Sequence, residues 1–212
     1  MGIIKQGILG GFSGKVGNVV GTSWKGRAVL KAMPLSVANP RTTGQINQRA
    51  KFSACVELAK ELLGGSIAIL DNPFAGNISG YNRFVKRNTA AFTTDGNLIP
   101  NKLKVSEGAL GGIELDGPVQ VASGGVSIGI YFDSLSSPYN LGTDNVVATI
   151  ISKTTGEVLV AGRIIAKRAD NNGAAVPNRP LEANEEFYVY LSAIRVDKKY
   201  VSDSVYALQQ FA

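Results

Sequence analysis

Histidine is absent from the 212 residues, which removes the commonest general base, the Ser–His and Cys–His nucleophile pairs, and the commonest metal ligand. One cysteine, Cys55, excludes an intramolecular disulfide and a cysteine-rich zinc site. No apolar run approaches the roughly 18 residues of a membrane span. The start, Met1 to Phe12, lacks the continuous apolar stretch and small-residue cleavage site of a signal peptide. Met1-Gly2 opens like a myristoylation site, but position 6 is glutamine where serine or threonine is required. The expectation is a non-enzyme with no cofactor and no metal, working without export and without a membrane.

Acidic residues are missing from the first quarter. Residues 1–56 hold Lys5, Lys15, Lys25, Arg27, Lys31, Arg41, Arg49 and Lys51, with no Asp or Glu. Residues 1–104 carry 14 basic and 4 acidic side chains, and residues 105–212 carry 8 and 12, so +10 and −4 make up the net +6. A sign asymmetry of this kind points to a partner of opposite charge.

What is present reads as strands, then helices, then strands. Residues 15–33 are rich in Val, Thr and Gly, and Lys25-Gly26 fits a two-residue hairpin turn. That register sets Trp24 opposite Arg27, Thr22 opposite Val29 and Val20 opposite Lys31, with Val19, Gly21 and Ser23 on the other face. Two strands bury too little apolar surface to stand alone in water, so this arm needs a support.

Thr42, with Gln45 three residues on, forms a capping box. The helix it opens is expected to end near Leu63 at Gly64-Gly65. Phe52, Cys55, Val56, Ala59, Leu62 and Leu63 share one face, and Cys55 is a core hydrophobe. Ser79 caps a second helix over 80–92 whose outer face carries Arg83, Lys86 and Arg87.

From residue 102 the pattern becomes short β runs: 102–106, 113–122, 126–132, 145–152, 158–167, 186–196 and 200–208. Seven strands in that span suit an immunoglobulin- or fibronectin-like sandwich. Phe187, Val189 and Leu191 alternate with Tyr188, Tyr190 and Ser192, giving one buried and one wetter face. The fold class expected is therefore α+β: an N-terminal β-hairpin arm and two helices in residues 1–104, then a β-sandwich in 105–212.

Gly10 to Lys15 resembles a phosphate-binding loop but lacks the Lys-Ser/Thr ending, since Val16 follows. Asp144, Glu185 and Glu186 read as solvated acidic edges. The candidate partner-binding residues are Lys15, Trp24, Lys25, Arg27, Lys31, Arg41 and Arg49. An aromatic among cations can stack a base or seat a protein surface, and Arg27 can stack on Trp24. No base-reading motif is present, so nucleic-acid contacts would go to phosphate.

The stretch from Lys5 to Gly26, containing Lys15-x-Gly17-Asn18-Val19-Val20-Gly21-x-Ser23-Trp24, precedes Asn39-Pro40-Arg41-Thr42-x-x-Gln45-x-x-Gln48-Arg49-x-x-Phe52. Together they resemble an uncharacterised family common in Bacteroidota and their phages, which ends in a Val-Ser-Asp-Ser strand, here Val201–Ser204. The resemblance implies phage virion structural proteins and carries no catalytic residues. The reading it supports is a virion assembly component (head, neck or tail) that docks through its basic arm. Its partners would be other virion proteins or itself as a homo-oligomer, and its location the virion. The alternative is a non-specific nucleic-acid-binding protein using the same face.

Overall fold

A computed structural model describes residues 3–4 (backbone alone), 11–122, 124–135 and 137–210. Lys5, Gly10 and the turn residue Ser123 of the sequence reading lie outside them. The chain divides into two compact units, residues 1–42 and 43–212.

The first unit is an antiparallel sheet of β1 (Ile3–Ile4), β2 (Phe12–Val16), β3 (Val19–Trp24) and β4 (Arg27–Ala32), in that order. Lys25 and Gly26 take left-handed conformations at φ 48° and 79°, the geometry of a tight two-residue hairpin. The turn fixes the register: Trp24 pairs with Arg27, Thr22 with Val29 and Val20 with Lys31, as expected. β2 adds a third strand, with Lys15 opposite Val20 and Gly14 opposite Gly21. A side chain at Gly21 would strike the carbonyl oxygen of Phe12 at 2.2 Å and its ring at 2.6 Å. Of the described residues 11–42, Gly21 alone is buried.

The second unit is built in three layers. α1 (Thr43–Glu61) begins one residue after the expected cap. Gly64-Gly65 does not end the winding. The chain continues through a wider helical segment, Leu63–Asp71, in which the Ile67 amide donates across five residues to Leu62 at 3.1 Å. Cys55, Leu58, Ala59 and Leu62 are buried, while Phe52 and Leu63 of the expected apolar face are half exposed at 52% and 47%. α2 (Gly80–Asn88) is capped by Ser79, whose Oγ accepts from the Asn82 amide at 3.2 Å.

Two antiparallel sheets follow. One holds β5 (Ile113–Leu115), β6 (Gln120–Val121), β7 (Ile128–Ser134) and β10 (Asn172–Ala175), ordered β10-β7-β5 with β6 also on β7. The other is ordered β12-β11-β8-β9, from β8 (Asn145–Ser152), β9 (Val158–Lys167), β11 (Glu186–Ile194) and β12 (Val205–Gln210). Residues 102–106 form no strand, the expected run 113–122 breaks at Asp116-Gly117-Pro118, and β10 was not anticipated.

The two faces of the β8–β11 pair bury against different layers. Val146, Ala148, Ile150, Val189 and Leu191 pack on the smaller sheet. Val147, Ile151, Tyr190 and Ile194 pack on Cys55, Leu62, Ile67 and Phe84 of the helical layer. The face expected to be wetter is mostly dry: Tyr190 and Ser192 are fully buried, while Tyr188 stays partly exposed. Their hydroxyls are satisfied locally. Tyr190 donates to the Pro100 carbonyl at 2.9 Å, Ser192 accepts from Ser106 at 2.8 Å, and Thr149 meets Ser66 at 2.8 Å. The change of composition near residue 104 marks the passage from helices to strands inside this unit.

The Val201–Ser204 motif is a clasp more than a strand. Val201 accepts from the Leu110 amide at 3.0 Å and Asp203 Oδ1 from Gly108 at 3.0 Å. Ser204 Oγ accepts from Val105 at 3.0 Å, and Ser202 Oγ from Ala193 at 2.8 Å. Four consecutive residues thus tie the segment leaving the helices to β11.

Candidate interaction surface

The alternation of β2–β4 separates two chemistries. Val16, Val19, Ser23, Ala28, Leu30 and Ala32 share one uncharged face, of which Leu30 is 64% and Val16 54% exposed. Lys15, Val20 and Lys31 form one cross-strand row on the other face, and Trp24 with Arg27 lies two rows further along that face. Trp24 is 62% exposed. Lys25, in place of the expected Arg27, covers its ring, with Nζ 5.0 Å from the centroid.

Five of the seven sequence-predicted residues, Lys15, Trp24, Lys25, Arg27 and Lys31, therefore meet on one small sheet. Arg41 lies in the exposed segment after it, outside any strand. Arg49 is on α1 in the second unit and carries an interaction of its own. Residues 1–42 contain six basic side chains and no acidic one, so residues 43–212 hold 22 − 6 = 16 basic against 16 acidic. The whole net charge resides in the small unit.

In the second unit several charges are paired internally. Arg87, expected on the outer face of α2, turns inward and grips buried Asp71 at 2.8 and 3.0 Å. Burial pushes the Asp71 carboxyl up while Arg87 and Arg83 pull it down. Asp144 and Glu185 are no solvated edges: they are 0% and 7% exposed. Asp144 lies 3.4 Å from Arg168 and 3.9 Å from Arg195. Glu185 takes both forks of Arg179 at 3.0 and 2.7 Å, which brings its carboxyl down to about 2. Nothing in the local sequence signals these pairs, because each joins residues that only the fold brings together. Cys55 is buried and inert, its thiol pushed up by burial.

One outer sheet face keeps its charge. In β5 and β7, Glu114 stands directly opposite Asp133, both exposed. Asp116 donates its amide to the Tyr131 carbonyl at 2.9 Å, and Tyr131 is 40% exposed. None of the three acids joins a salt bridge among the described residues.

A cleft of 630 Å³ lies between α1, residues 92–98 and the β8–β9 turn, lined by Glu57, Leu58, Glu61, Phe92, Lys153 and Tyr188 among others. Glu61 accepts from the Val158 amide and Lys153 pairs with Glu186. Ser152, also in its wall, donates to Glu185, whose carboxylate Arg179 already saturates. The Glu185 carboxylate is therefore engaged by Arg179 and is not available to activate Ser152. Among the described residues no group of three acidic or soft side chains can hold a metal ion, and no helix is long and apolar enough to cross a membrane.

These observations define an α+β protein with a helix-backed pair of antiparallel sheets and a basic N-terminal sheet almost without burial. Residues 11–208 match the model of DUF6266, a family of unknown function, and the chain belongs to that family. No curated protein matches the chain.

Proposed function

We propose that this protein is a non-catalytic structural component of a virion-type assembly that docks through its N-terminal sheet. The observation that carries the reading is the burial of a single residue, Gly21, in the described part of a four-stranded sheet. A sheet needs a surface to cover at least one of its faces, and here Leu30, Val16 and Trp24 all face solvent. The charge of this sheet selects an acidic partner. The strand orders β10-β7-β5 and β12-β11-β8-β9 support a fibronectin-like sandwich for the body, a scaffold that presents the arm and predicts no chemistry. The N-terminal motifs that resemble virion proteins fall on the docking sheet and on α1, with the segment between them.

Cross-linking of the full chain in its native assembly tests this: Lys15 and Lys31 should join other subunits. A chain that stays monomeric at high concentration and is missing from purified particles would overturn it. Exposed Trp24 beside Lys25 and Arg27 also favours a second reading, phosphate-led nucleic-acid binding, which predicts affinity falling steeply with salt.

A further inference from the structure

We infer that the basic face of the N-terminal sheet docks on the outer face of the β10-β7-β5 sheet of a second copy of this chain, around Glu114, Asp116 and Asp133. The inference rests on the docking reading above and names the partner.

Two independent anomalies fit each other. Like charges directly opposite on neighbouring strands destabilise a sheet, yet Glu114 faces Asp133 and neither forms a salt bridge among the described residues. Arg168, which donates to Ser134 at this strand end, is buried on the inner side and engaged by Asp144. The N-terminal sheet presents the converse: Lys15 and Lys31 in one row, Arg27 two rows further along the same face, and no acid in the unit. Lys15 and Lys31 stand two strands apart, about 10 Å, close enough to bracket a carboxylate pair on adjacent strands. Each face also holds one exposed aromatic, Trp24 and Tyr131. Two arms cannot serve each other, because each contributes six positive charges. A nucleic acid would neutralise the basic face and leave Glu114 and Asp133 opposed.

The contact is arm to body, so each copy gives one surface and receives on another. Such heterologous contacts build rings or filaments. A face of three to four short strands covers about 300–400 Å² per partner. Both sides together stay below the roughly 1,200 Å² of a stable pair. Free chains should therefore associate weakly and strengthen when the chain of contacts closes.

Sedimentation of the full-length protein at rising concentration tests this, at about 50 mM and about 0.5 M salt. The expected result is association above the 22.3 kDa monomer at low salt, lost at high salt. Glu114→Lys with Asp133→Lys keeps one like-charge pair and inverts the face. Lys15→Glu with Lys31→Glu inverts the arm. All four positions are exposed, and unchanged unfolding curves verify the fold. Each double variant alone should associate at least about tenfold more weakly, and an equal mixture of the two should recover the wild-type level, since every arm again meets an opposite face. Loss in the arm variant with none in the face variant would place the docking elsewhere and leave the assembly reading standing. A wild type that stays monomeric, or that binds only DNA in a salt-dependent way, overturns the inference.

Discussion

At Gly65 an added methyl would sit 1.3 Å from the carbonyl oxygen of Ala161, and at Gly162, with φ +79°, it would meet Ser66 at 2.4 Å. These two glycines let the wide helical segment lie flush on β9, close enough for Ser66 to reach Thr149. Gly65→Ala is expected to cost about 3 kcal/mol in denaturant unfolding, the scale of overpacking a tight contact. Gly64, with nothing within 4 Å, should instead gain about 0.5–1 kcal/mol on conversion to Ala. A similar response at both positions would disprove the contact. Ser202 gives a second residue-scale case: its buried hydroxyl accepts from Ala193 and donates to Asp203. Ser202→Ala should cost about 1–3 kcal/mol, because a buried amide loses its acceptor. Glu185 supplies the pH dependence. Its carboxyl is lowered from 4.5 to about 2, first by Arg179, with Glu182 and Ser152 adding hydrogen bonds. A depressed carboxyl contributes stability above its unfolded value and loses it as the folded value is approached. Stability should therefore fall between about pH 4.5 and 2, and Glu185→Gln should flatten that part of the curve while lowering the plateau at neutral pH.

Strand register determines which charges meet. On the outer face of β5 and β7, Glu114→Lys would convert a like-charge pair into an opposite one, and should raise stability by about 0.2–1 kcal/mol in denaturant unfolding with an unchanged slope. No gain would mean that the carboxylates are already screened by solvent. The same register explains what the sequence disclosed. The hairpin was legible because Lys25-Gly26 sets both pairing and facing, so Trp24, Arg27 and Lys31 could be placed together from alternation alone, whereas Lys15 joins their face only through the turn between β2 and β3. The acidic face was not, since Glu114 and Asp133 meet through a pairing that no local turn fixes. β10 escaped notice because Asn172-Gly173-Ala174-Ala175 has neither branched nor aromatic residues, and tertiary pairing on β7 overrides that weak propensity. The continuation of the helix through Gly64-Gly65 was equally hidden: glycine reads as a stop in isolation, but here it serves close approach to β9. Tyr190 and Ser192 read as a wet face because alternation cannot reveal a covering layer of helices.

Across the whole molecule, core and charge are divided between the units. Both hydrophobic clusters lie entirely within residues 43–212, while residues 1–42 hold the full net charge of +6. Loss of the arm therefore removes no buried apolar residue from either cluster. Residues 33–42 join strand and helix with no regular structure and every position exposed, Leu35 at 99% and Val37 at 76%. Proteases act on such segments, where the backbone can enter an active site without unfolding a core. Brief trypsin treatment of the free protein should therefore cut after Arg41, or after Lys31 near the end of β4, and leave a fragment that contains residues 42–212. That fragment should retain a cooperative unfolding transition, read by circular dichroism, because it contains every buried apolar residue of both clusters. If the arm docks as proposed, Lys31 should be protected in the associated protein, since a covered Lys31 is out of reach of the protease. Rapid cutting within β8 or β11 would contradict the division of the core, and equal cutting rates for free and assembled protein would contradict the docking of the arm.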